Sequence, residues 1–333
     1  MVPATAVAFL LAGFLGGVVL EFFVIRVSAS LRLLAMPNQR SFHAEPTPTA
    51  GGLVFVLPVS GLIGLFAFDA VPLAQGLFAG GLLLALVSLW DDYREVPAWL
   101  RFACQVVAVA LAVWGLQLSW HWLLVAVIGL GMVWHVNLFN FMDGIDGIAG
   151  VQCLLFCVGA QLLTLGIPGW TGDLVWLLMG TVLAFLVYNW PAARIFMGDV
   201  GSAFLGLLLA VLVVDLWHTQ RLPLVASLIL LAGFWFDATY TLCVRMATGQ
   251  PFTQAHRSHT YQQLADRKGH RFTTLAFLVF GVVWLLPLAW LSVQLPRFGA
   301  WWLVLAMLPL AAAAVGLRAG VRRNLREEHV AED

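Results

Sequence analysis

Long apolar stretches, separated by short polar loops, occupy most of this chain of 333 residues. Each stretch is about 20 residues long, the length at which an α-helix crosses roughly 30 Å of hydrocarbon. The pattern predicts an all-α polytopic integral membrane protein with about eleven transmembrane helices. The predicted spans are residues 4–27, 52–69, 72–90, 102–118, 121–138, 147–166, 173–190, 201–217, 222–244, 273–292 and 299–317.

The composition agrees with this class of protein. Hydrophobic residues make up 62% of the chain, charged residues only 10%, and the mean hydropathy is +0.93. A soluble domain carries roughly a quarter charged residues. The net charge is zero, so no nucleic-acid partner is indicated. No internal repeat or linker divides the chain, so we expect one membrane-embedded domain over residues 1–333, ending in a short cytoplasmic tail at 319–333.

Basic residues predict the orientation. If the N-terminus is periplasmic, only Arg221 and Arg297 of the 17 basic residues fall on the outer side. Lysine and arginine concentrate in the cytoplasmic loops of membrane proteins. The C-terminus is therefore predicted to be cytoplasmic. The same orientation places five loop carboxylates in the cytoplasm, those of Asp91, Asp92, Asp143, Asp146 and Asp199. Acidic side chains collected at one membrane surface tend to be functional and suggest a divalent cation.

The first polar loop, residues 38–52, contains two X-Pro pairs and a double glycine, which favour an extended, turn-rich conformation. Its Arg40, Ser41 and His43 have side chains that can meet a phosphate. An ordinary charged loop at the membrane interface is an equal alternative for this segment alone.

The second loop begins with Asp91 and Asp92. Neighbouring residues on a helix point about 100° apart, so the two carboxylates are expected to have different roles, one near a metal and one near the substrate. Arg101 follows about two turns into the next segment and offers a positive partner for a phosphate. An Asp-Asp pair by itself also makes a good helix terminus.

The third loop has the most informative spacing, Asn140-x-x-Asp143-Gly-x-Asp146-Gly. If this turn is helical, residues three apart share a face, so Asn140, Asp143 and Asp146 would line one ligand. The glycines allow the backbone to approach that ligand closely, and the next helix offers its N-terminal amides to an anion. The alternative is a capped loop of small polar residues.

Two further motifs follow. Asn189 precedes a loop that ends in Gly198-Asp199-Val-Gly-Ser202, where Asp199 is either a metal ligand or a helix N-cap. His256-Arg257-Ser-His259 supplies donors for phosphate oxygens; the histidines are alternatively metal ligands, although a hard cation prefers oxygen. Asp237, upstream of this loop, is predicted to orient a histidine or Arg245, or to form a buried pair.

In order and position, these motifs resemble those of the polyprenyl-phosphate N-acetylhexosamine-1-phosphate transferases. The likeness covers about residues 37–263. It implies a multi-pass enzyme of the bacterial inner membrane whose active site faces the cytoplasm. It further implies that the enzyme uses Mg²⁺, with Mn²⁺ as a substitute, to transfer a sugar 1-phosphate from a UDP-N-acetylamino sugar to undecaprenyl phosphate, releasing UMP. The family also includes homodimers.

The resemblance implies roles for individual residues. Asp91, Asp92 and Asp199 would be catalytic, with Asp199 and Asp92 at the metal. Asn140, Asp143 and Asp146 would line the nucleotide and diphosphate, with Asn189 nearby. Arg101, His256, Arg257 and His259 would bind substrate phosphate. Direct attack by the lipid phosphate is favoured over a covalent aspartyl intermediate, which remains an alternative.

Three departures bear on the donor sugar. The branch that makes the peptidoglycan precursor has three successive histidines where this chain has His256-Arg-Ser-His259, and a lysine at the position of Arg101. The His-Arg-Ser-His form resembles the subgroup that initiates O-antigen or related surface polysaccharides. Thr49-Ala50 replaces an Arg-Gly pair frequent in that subgroup, which leaves N-acetylglucosamine and 6-deoxy-N-acetylhexosamines both open as donors.

Two other classes of protein are alternatives for a membrane protein with these acidic loops. Acidic residues within membranes also mark the ion pathways of transporters, but transporters place them near the bilayer midplane and often show repeats. Phosphotransferases that act on CDP-alcohols confine their Asp-Gly signature to one helix pair, whereas the motifs here spread over five loops.

Overall fold

The computed structural model of the protein describes residues 4–31, 33–35, 46–69, 71–94, 96–251 and 256–321. Arg40, Ser41 and His43 lie outside the described residues, so their predicted contact with phosphate stays a prediction. The described part of the predicted tail begins with a buried residue, Ala319. The remainder of that tail, from residue 322, is also outside the described residues.

Helices dominate the described ranges. They are α1 (Ala4–Ser30), α2 (Leu53–Leu62, continued by a wider turn over Ile63–Ala67), α3 (Pro72–Tyr93), α4 (Ala98–Gly115), α5 (Trp122–Met142), α6 (Ile148–Leu163), α7 (Gly169–Asn189), α8 (Gly198–His218), α9 (Leu224–Leu230), α10 (Ala232–Ala247), α11 (Thr260–Lys268), α12 (His270–Phe280), α13 (Leu286–Gln294) and α14 (Gly299–Gly316). A wide turn over Gly281–Leu285 joins α12 to α13, and Pro296–Phe298 form a short 3₁₀ turn before α14.

Each of the eleven predicted apolar segments coincides with a helix or a pair of joined helices, with ends that agree within four residues. By length and composition, eight helices in the described ranges can cross a membrane, or nine if α9 and α10 form one span. Leu53–Ala67 and Ile148–Leu163 are shorter. The all-α membrane class is therefore confirmed, while the count of eleven spans and the orientation stay predictions.

The ninth predicted span, residues 222–244, is not straight. The axes of α9 and α10 differ by 76° across Leu231. Backbone carbonyls freed inside a membrane need other donors. Two side chains supply them here: Gln152 Nε2 donates to the Leu230 carbonyl at 3.1 Å, and Trp235 Nε1 donates to the Leu228 carbonyl at 2.8 Å. Apolar periodicity carries no information about such contacts between distant segments.

Helix α8 lies at the centre of the bundle. Every residue from Val200 to Leu216 is buried, and the helix packs against α3, α5, α2, α9 and α4. The peripheral helix α14 buries only Gly299, Ala306 and Ala314. Since α8 begins at Gly198, its first turn carries the Asp199 motif from the surface of the bundle directly into this core.

The polar loops meet at one end of the bundle, which we call the site end. It is formed by the turns after α1, α3, α5, α7, α10 and α14, together with the start of α12. At this end Leu34–Ala35 pair antiparallel with Thr47–Pro48. The next residues bind the loop before α8: Gly51 and Gly52 donate their amides to the carbonyls of Phe196 and Met197, each at 2.9 Å.

Candidate active site

Asp91 is held by the turn between α3 and α4. Its Oδ1 accepts a hydrogen bond from the Val96 amide at 2.7 Å, and its Oδ2 lies 2.5 Å from Arg101 Nη1. The same Arg101 nitrogen lies 3.5 Å from Asp199 Oδ2. Arg101 therefore lies within ion-pair distance of two carboxylates, and Asp91 fixes the position of its guanidinium.

Asp92 has different surroundings. Its carboxylate faces the first backbone amides of α8, those of Asp199 and Val200, and lies within electrostatic range of the Asp199 and Asp91 carboxylates. The buried Oδ2 has no hydrogen-bond partner among the described residues. The expectation that Asp91 and Asp92 serve different purposes agrees with these contacts.

Asn140 and Ser202 complete the group around Asp199. Asn140 Nδ2 donates to Asp199 Oδ1 and to Ser202 Oγ, both at 2.9 Å. Asn140 comes from the last turn of α5, and the other two from the first turn of α8. We call Asp91, Asp92, Arg101, Asn140 and Asp199 the acidic centre. Its five members were all predicted as site residues, and the fold brings them together.

Asp143 follows α5 and lies between the acidic centre and Asp146. Burial, followed by the negative charges of Asp199 and Asp146, raises the pKa of the Asp143 carboxyl well above its usual range. The site end therefore concentrates more negative charge than Arg101 alone can balance. This arrangement favours a bound cation.

Asp146 and Asn189 belong to a second group. Asn189 Oδ1 accepts from the Gly147 amide, and its Nδ2 donates to the Ile195 carbonyl, both at 2.8 Å. Asp146 Oδ2 accepts from the Ala193 amide at 3.2 Å. Asn189 is buried, and both the oxygen and the nitrogen of its side-chain amide form hydrogen bonds with backbone groups. It therefore holds the two loops together and is poorly placed to bind substrate directly.

Sequence reasoning missed His270. Its Nδ1 lies 3.2 Å from Asp146 Oδ1, at the first residue of α12. The only sequence signal is its place directly after Gly269, between Lys268 and Arg271, at the start of an apolar segment. Such a position is common to many membrane-interface residues and does not single out a site.

The histidine loop, residues 256–259, is fixed by Asp237 of α10. Asp237 accepts hydrogen bonds from the Thr260 amide (2.8 Å) and the Tyr261 amide (3.0 Å), and its Oδ1 lies 3.7 Å from His259 Nδ1. Asp237 thus caps α11 and orients a histidine, which agrees with one predicted role. Arg245 instead binds Gln250 and the Pro251 carbonyl.

The two predicted histidines lie side by side, with ring centroids 4.9 Å apart. Burial, then the charges of His259 and Arg245, lower the pKa of His256 to about 4, so this imidazole is neutral at pH 7. Its Nδ1 lies 3.0 Å from Ser258 Oγ. Arg257 forms an ion pair with Asp266 at 2.7 Å. His256 can therefore donate one hydrogen bond to a phosphate oxygen from the N–H of its neutral ring.

Tyr261 joins the histidine loop to the Asp143 turn. Its hydroxyl donates to the Phe141 carbonyl at 2.9 Å, and burial together with the Asp237 and Asp143 charges raises the pKa of the phenol well above its usual range. Gly144 allows this approach, because a Cβ there would collide with the Tyr261 hydroxyl. The histidine loop and the carboxylates consequently share one end of the molecule.

A divalent cation fits the acidic centre. Within the described ranges no three His, Cys, Asp or Glu side chains are grouped to hold a metal by themselves. Magnesium, however, is usually bound by one or two carboxylates together with substrate phosphates and water. Asp92 Oδ2, which has no partner among the described residues, lies within electrostatic range of the Asp199 carboxylate, so these two carboxylates meet this requirement.

Comparison with known proteins covers most of the chain. Residues 74–217, from α3 to the end of α8, match the model of glycosyl transferase family 4. A Bacillus subtilis (strain 168) protein, "Probable undecaprenyl-phosphate N-acetylglucosaminyl 1-phosphate transferase", is 26% identical over 283 residues, which cover 78% of this chain and 77% of that protein. The segment from α3 to α8 belongs to glycosyl transferase family 4. The resemblance drawn from its motifs is thereby confirmed at the level of the family.

Two further relatives match over less of their length. The decaprenyl-phosphate N-acetylglucosaminephosphotransferase of Mycobacterium tuberculosis (strain ATCC 25618 / H37Rv) is 31% identical over 56% of this chain and 54% of its own. The phospho-N-acetylmuramoyl-pentapeptide-transferase of Thermotoga neapolitana is 32% identical over 49% of this chain and 59% of its own length. The chain thus spans less than two thirds of these two relatives. All three names describe transferases, and none describes a transporter.

Proposed function

We propose that this protein transfers an N-acetylamino-sugar 1-phosphate from a UDP-sugar to undecaprenyl phosphate. The products are UMP and undecaprenyl-diphospho-sugar. The observation that carries the proposal is the acidic centre, in which Asp92 and Asp199 meet at the start of α8 with Arg101 beside them. The group lies at the end of apolar helices, where a lipid phosphate and a nucleotide from water can meet.

The chemistry requires several negative charges to approach one another. In the favoured direct route, an oxygen of the lipid phosphate attacks the β-phosphorus of the donor. The bond from that phosphorus to the bridging oxygen breaks, and UMP leaves with that oxygen. Phosphoryl transfer depends mainly on positioning and charge stabilisation. In the alternative, an Asp92 oxygen attacks the same phosphorus and UMP leaves, giving an aspartyl phosphosugar. An oxygen of the lipid phosphate then attacks that phosphorus, and the bond to Asp92 breaks.

We propose that Asp92 and Asp199 hold Mg²⁺, for which Mn²⁺ can substitute. Such an ion, when bound, would stabilise the negative charge that develops on the phosphoryl oxygens. Arg101 adds a fixed positive charge, kept in place by Asp91. Asn140 orients Asp199 through its Nδ2. Asp91 itself acts by positioning, because its Oδ2 holds the Arg101 guanidinium beside Asp199.

The remaining predicted residues are proposed to bind the donor. Asp143 and Asp146 lie beside the acidic centre and face the nucleotide and diphosphate, while Asn189 shapes their loop. His256, Arg257 and His259 contribute donors for phosphate oxygens. Tyr261 supports this assignment, because it links the histidine loop to the turn that carries Asp143.

For the donor we propose N-acetylglucosamine or a 6-deoxy-N-acetylhexosamine. The product would start a lipid-linked O-antigen or a related surface polysaccharide. The Bacillus and mycobacterial relatives, whose names specify N-acetylglucosamine, support the first sugar. We further propose that the protein lies in the bacterial inner membrane with the site end in the cytoplasm, where nucleotide sugars are made. A homodimer is compatible with this arrangement.

The test is UMP release by detergent-purified protein supplied with undecaprenyl phosphate, Mg²⁺ and a panel of UDP-N-acetylamino sugars. We expect release that requires both lipid and metal, stops on chelation with EDTA, and falls at least ~100-fold in Asp199→Asn. The donor that gives the highest kcat/KM identifies the sugar. Folded wild-type protein that releases no UMP from any donor would refute the proposal.

A further inference from the structure

The pair formed by His270 and Asp146 joins two parts of the chain that are far apart in sequence. His270 is the first residue of α12, and its Nδ1 lies 3.2 Å from Asp146 Oδ1. Both side chains are largely buried, with 19% of His270 and 11% of Asp146 exposed. A hydrogen bond in such surroundings is shielded from water and holds its partner firmly.

The geometry also assigns the proton on the imidazole. The backbone amide of Asp146 lies 3.5 Å from the same Nδ1. A ring nitrogen that carries a proton can donate to the carboxylate, but it cannot also accept from that amide. The carboxylate contact is the shorter one and involves a charge, so it decides the assignment. Nδ1 therefore carries hydrogen and donates to Asp146 Oδ1.

A second residue of α12 reaches the same aspartate. Thr274 Oγ1 donates to the Asp146 carbonyl at 2.8 Å. Residues four apart lie on one face of a helix, so His270 and Thr274 present a common surface to the turn. With the Ala193 amide bound to Oδ2, Asp146 is held by α12 on one side and by the loop before α8 on the other.

This arrangement leaves Asp146 oriented but not saturated. A carboxylate has about four lone-pair sites, of which the His270 and Ala193 contacts use two. The remaining sites can accept an N–H or O–H from a ligand. Asp143 lies within electrostatic range of both Asp146 and Asp199, so Asp146 belongs to the same end of the molecule as the acidic centre.

We propose that His270 is a positioning residue that fixes the Asp146 carboxylate for hydrogen bonding to the nucleoside part of the donor. The inference rests on the proposed function and extends it to a residue outside the recognised motifs. His270 acts through Asp146 and not on the phosphorus, so its loss weakens nucleotide binding while the chemical step proceeds.

The experiment compares His270→Ala and His270→Asn with wild-type protein and with Arg271→Ala, an exposed neighbour in the same turn. Asparagine places its Nδ2 donor close to the position of the histidine Nδ1. UMP binding is measured by titration calorimetry on detergent-purified protein, without turnover. KM and kcat for the donor are then measured separately, and a melting temperature is recorded for each variant.

We expect His270→Ala to weaken UMP binding by roughly 10-fold, as loss of a charge-assisted hydrogen bond predicts. KM for the donor should rise by about the same factor, with kcat within about 2-fold of wild type. His270→Asn should recover most of the affinity, and Arg271→Ala should match wild type. This pattern distinguishes positioning from a general structural role, which Asn would not rescue.

Three results would overturn the assignment: unchanged UMP binding in His270→Ala, equal loss in the Ala and Asn variants, or a fall in kcat at constant KM. Failure of folded wild-type protein to bind UMP is a different outcome. It would overturn the proposed function, and the role of His270 with it. If His270→Ala does not fold, His270→Leu, which fills similar space without a hydrogen-bond donor, replaces it in the same comparison.

Discussion

The carboxylates of Asp91 and Asp92 are adjacent in sequence but bind different groups. Asp91 holds the Val96 amide and Arg101, whereas Asp92 keeps a buried oxygen without a partner in the described structure. We expect Asp92→Asn to lower activity at least ~100-fold without loss of stability, because no existing hydrogen bond to that oxygen is broken. Asp91→Asn should destabilise the fold by about 1 kcal/mol. UMP release and melting temperature measured on both variants test this contrast.

Equal activity loss together with unchanged stability in both variants would contradict this division of roles. Arg94→Gln is a suitable control, since Arg94 is an exposed residue directly after α3. It should leave both measurements close to wild type.

The low pKa of His256 predicts that the stability of the fold decreases as the pH falls. Its pKa in the folded protein is about 4, below the usual 6.5. The unfolded chain therefore takes up a proton at higher pH than the folded protein, which favours unfolding as pH falls. The contribution of His256 to stability is fully present above about pH 6.5 and is lost as the pH falls to about 4. We expect the melting temperature of His256→Gln to fall less over this pH range than that of wild-type protein.

The measurement is thermal unfolding in detergent at several pH values between 4 and 7.5. The difference between wild type and His256→Gln isolates the histidine from the carboxyl groups, which also titrate at low pH. A difference that stays constant with pH would show that His256 titrates normally.

At this scale the sequence predicted candidate residues that the fold brings to one end of the molecule, but not how they are paired. Spacing placed Asn140 and Asp143 together because both lie within one local turn. The contact of Asp146 with His270 joins residues more than 120 positions apart, and no periodic pattern encodes it. Arg101 was assigned to phosphate from its charge alone, and its ion pairs with Asp91 and Asp199 became visible only with the fold.

Among the elements, α2 and α8 cross at a pair of glycines. A Cβ on Gly201 would lie 2.7 Å from Gly52 Cα and 2.9 Å from Phe55 Cζ. We expect Gly201→Ala to destabilise the protein by about 1–3 kcal/mol through overpacking and to displace Asp199. A Cβ on Gly61 in α2 would meet no atom within 4 Å, so Gly61→Ala should be neutral or stabilising. Melting temperature and UMP release distinguish the two variants.

An unchanged melting temperature in Gly201→Ala would mean that α2 can move away from α8. The close crossing would then not be required to place the first turn of α8.

The helices themselves were largely predictable, because apolar length alone defines a membrane-crossing segment. The bend at Leu231 was not, because apolar length does not show where side chains such as those of Gln152 and Trp235 can bind the freed carbonyls of α9. Helix α11 was also absent from the predicted elements. It is short and polar, and it depends on the cap that Asp237 provides.

For the whole molecule, the distribution of basic residues predicts that the site end is cytoplasmic. In a background without native cysteines, Arg297→Cys should react with a membrane-impermeant maleimide in intact spheroplasts. Arg271→Cys should react only after permeabilisation, because it lies beside the site at the start of α12. Labelling of Arg271→Cys alone in intact cells would reverse the orientation and remove the site from the supply of nucleotide sugars.

The enclosure of α8 has a consequence for how the protein tolerates sequence change. A peripheral helix such as α14 needs only apolar side chains towards lipid, and fluid acyl chains adapt to any of their shapes. From Val200 to Leu216, α8 meets other side chains on every side, so each position has a fixed volume to fill. A saturation library should therefore lose variants all around α8 but only along one stripe of α14. The most enclosed of the membrane-length helices would thus be among the least replaceable, although hydropathy alone makes it look interchangeable with its neighbours.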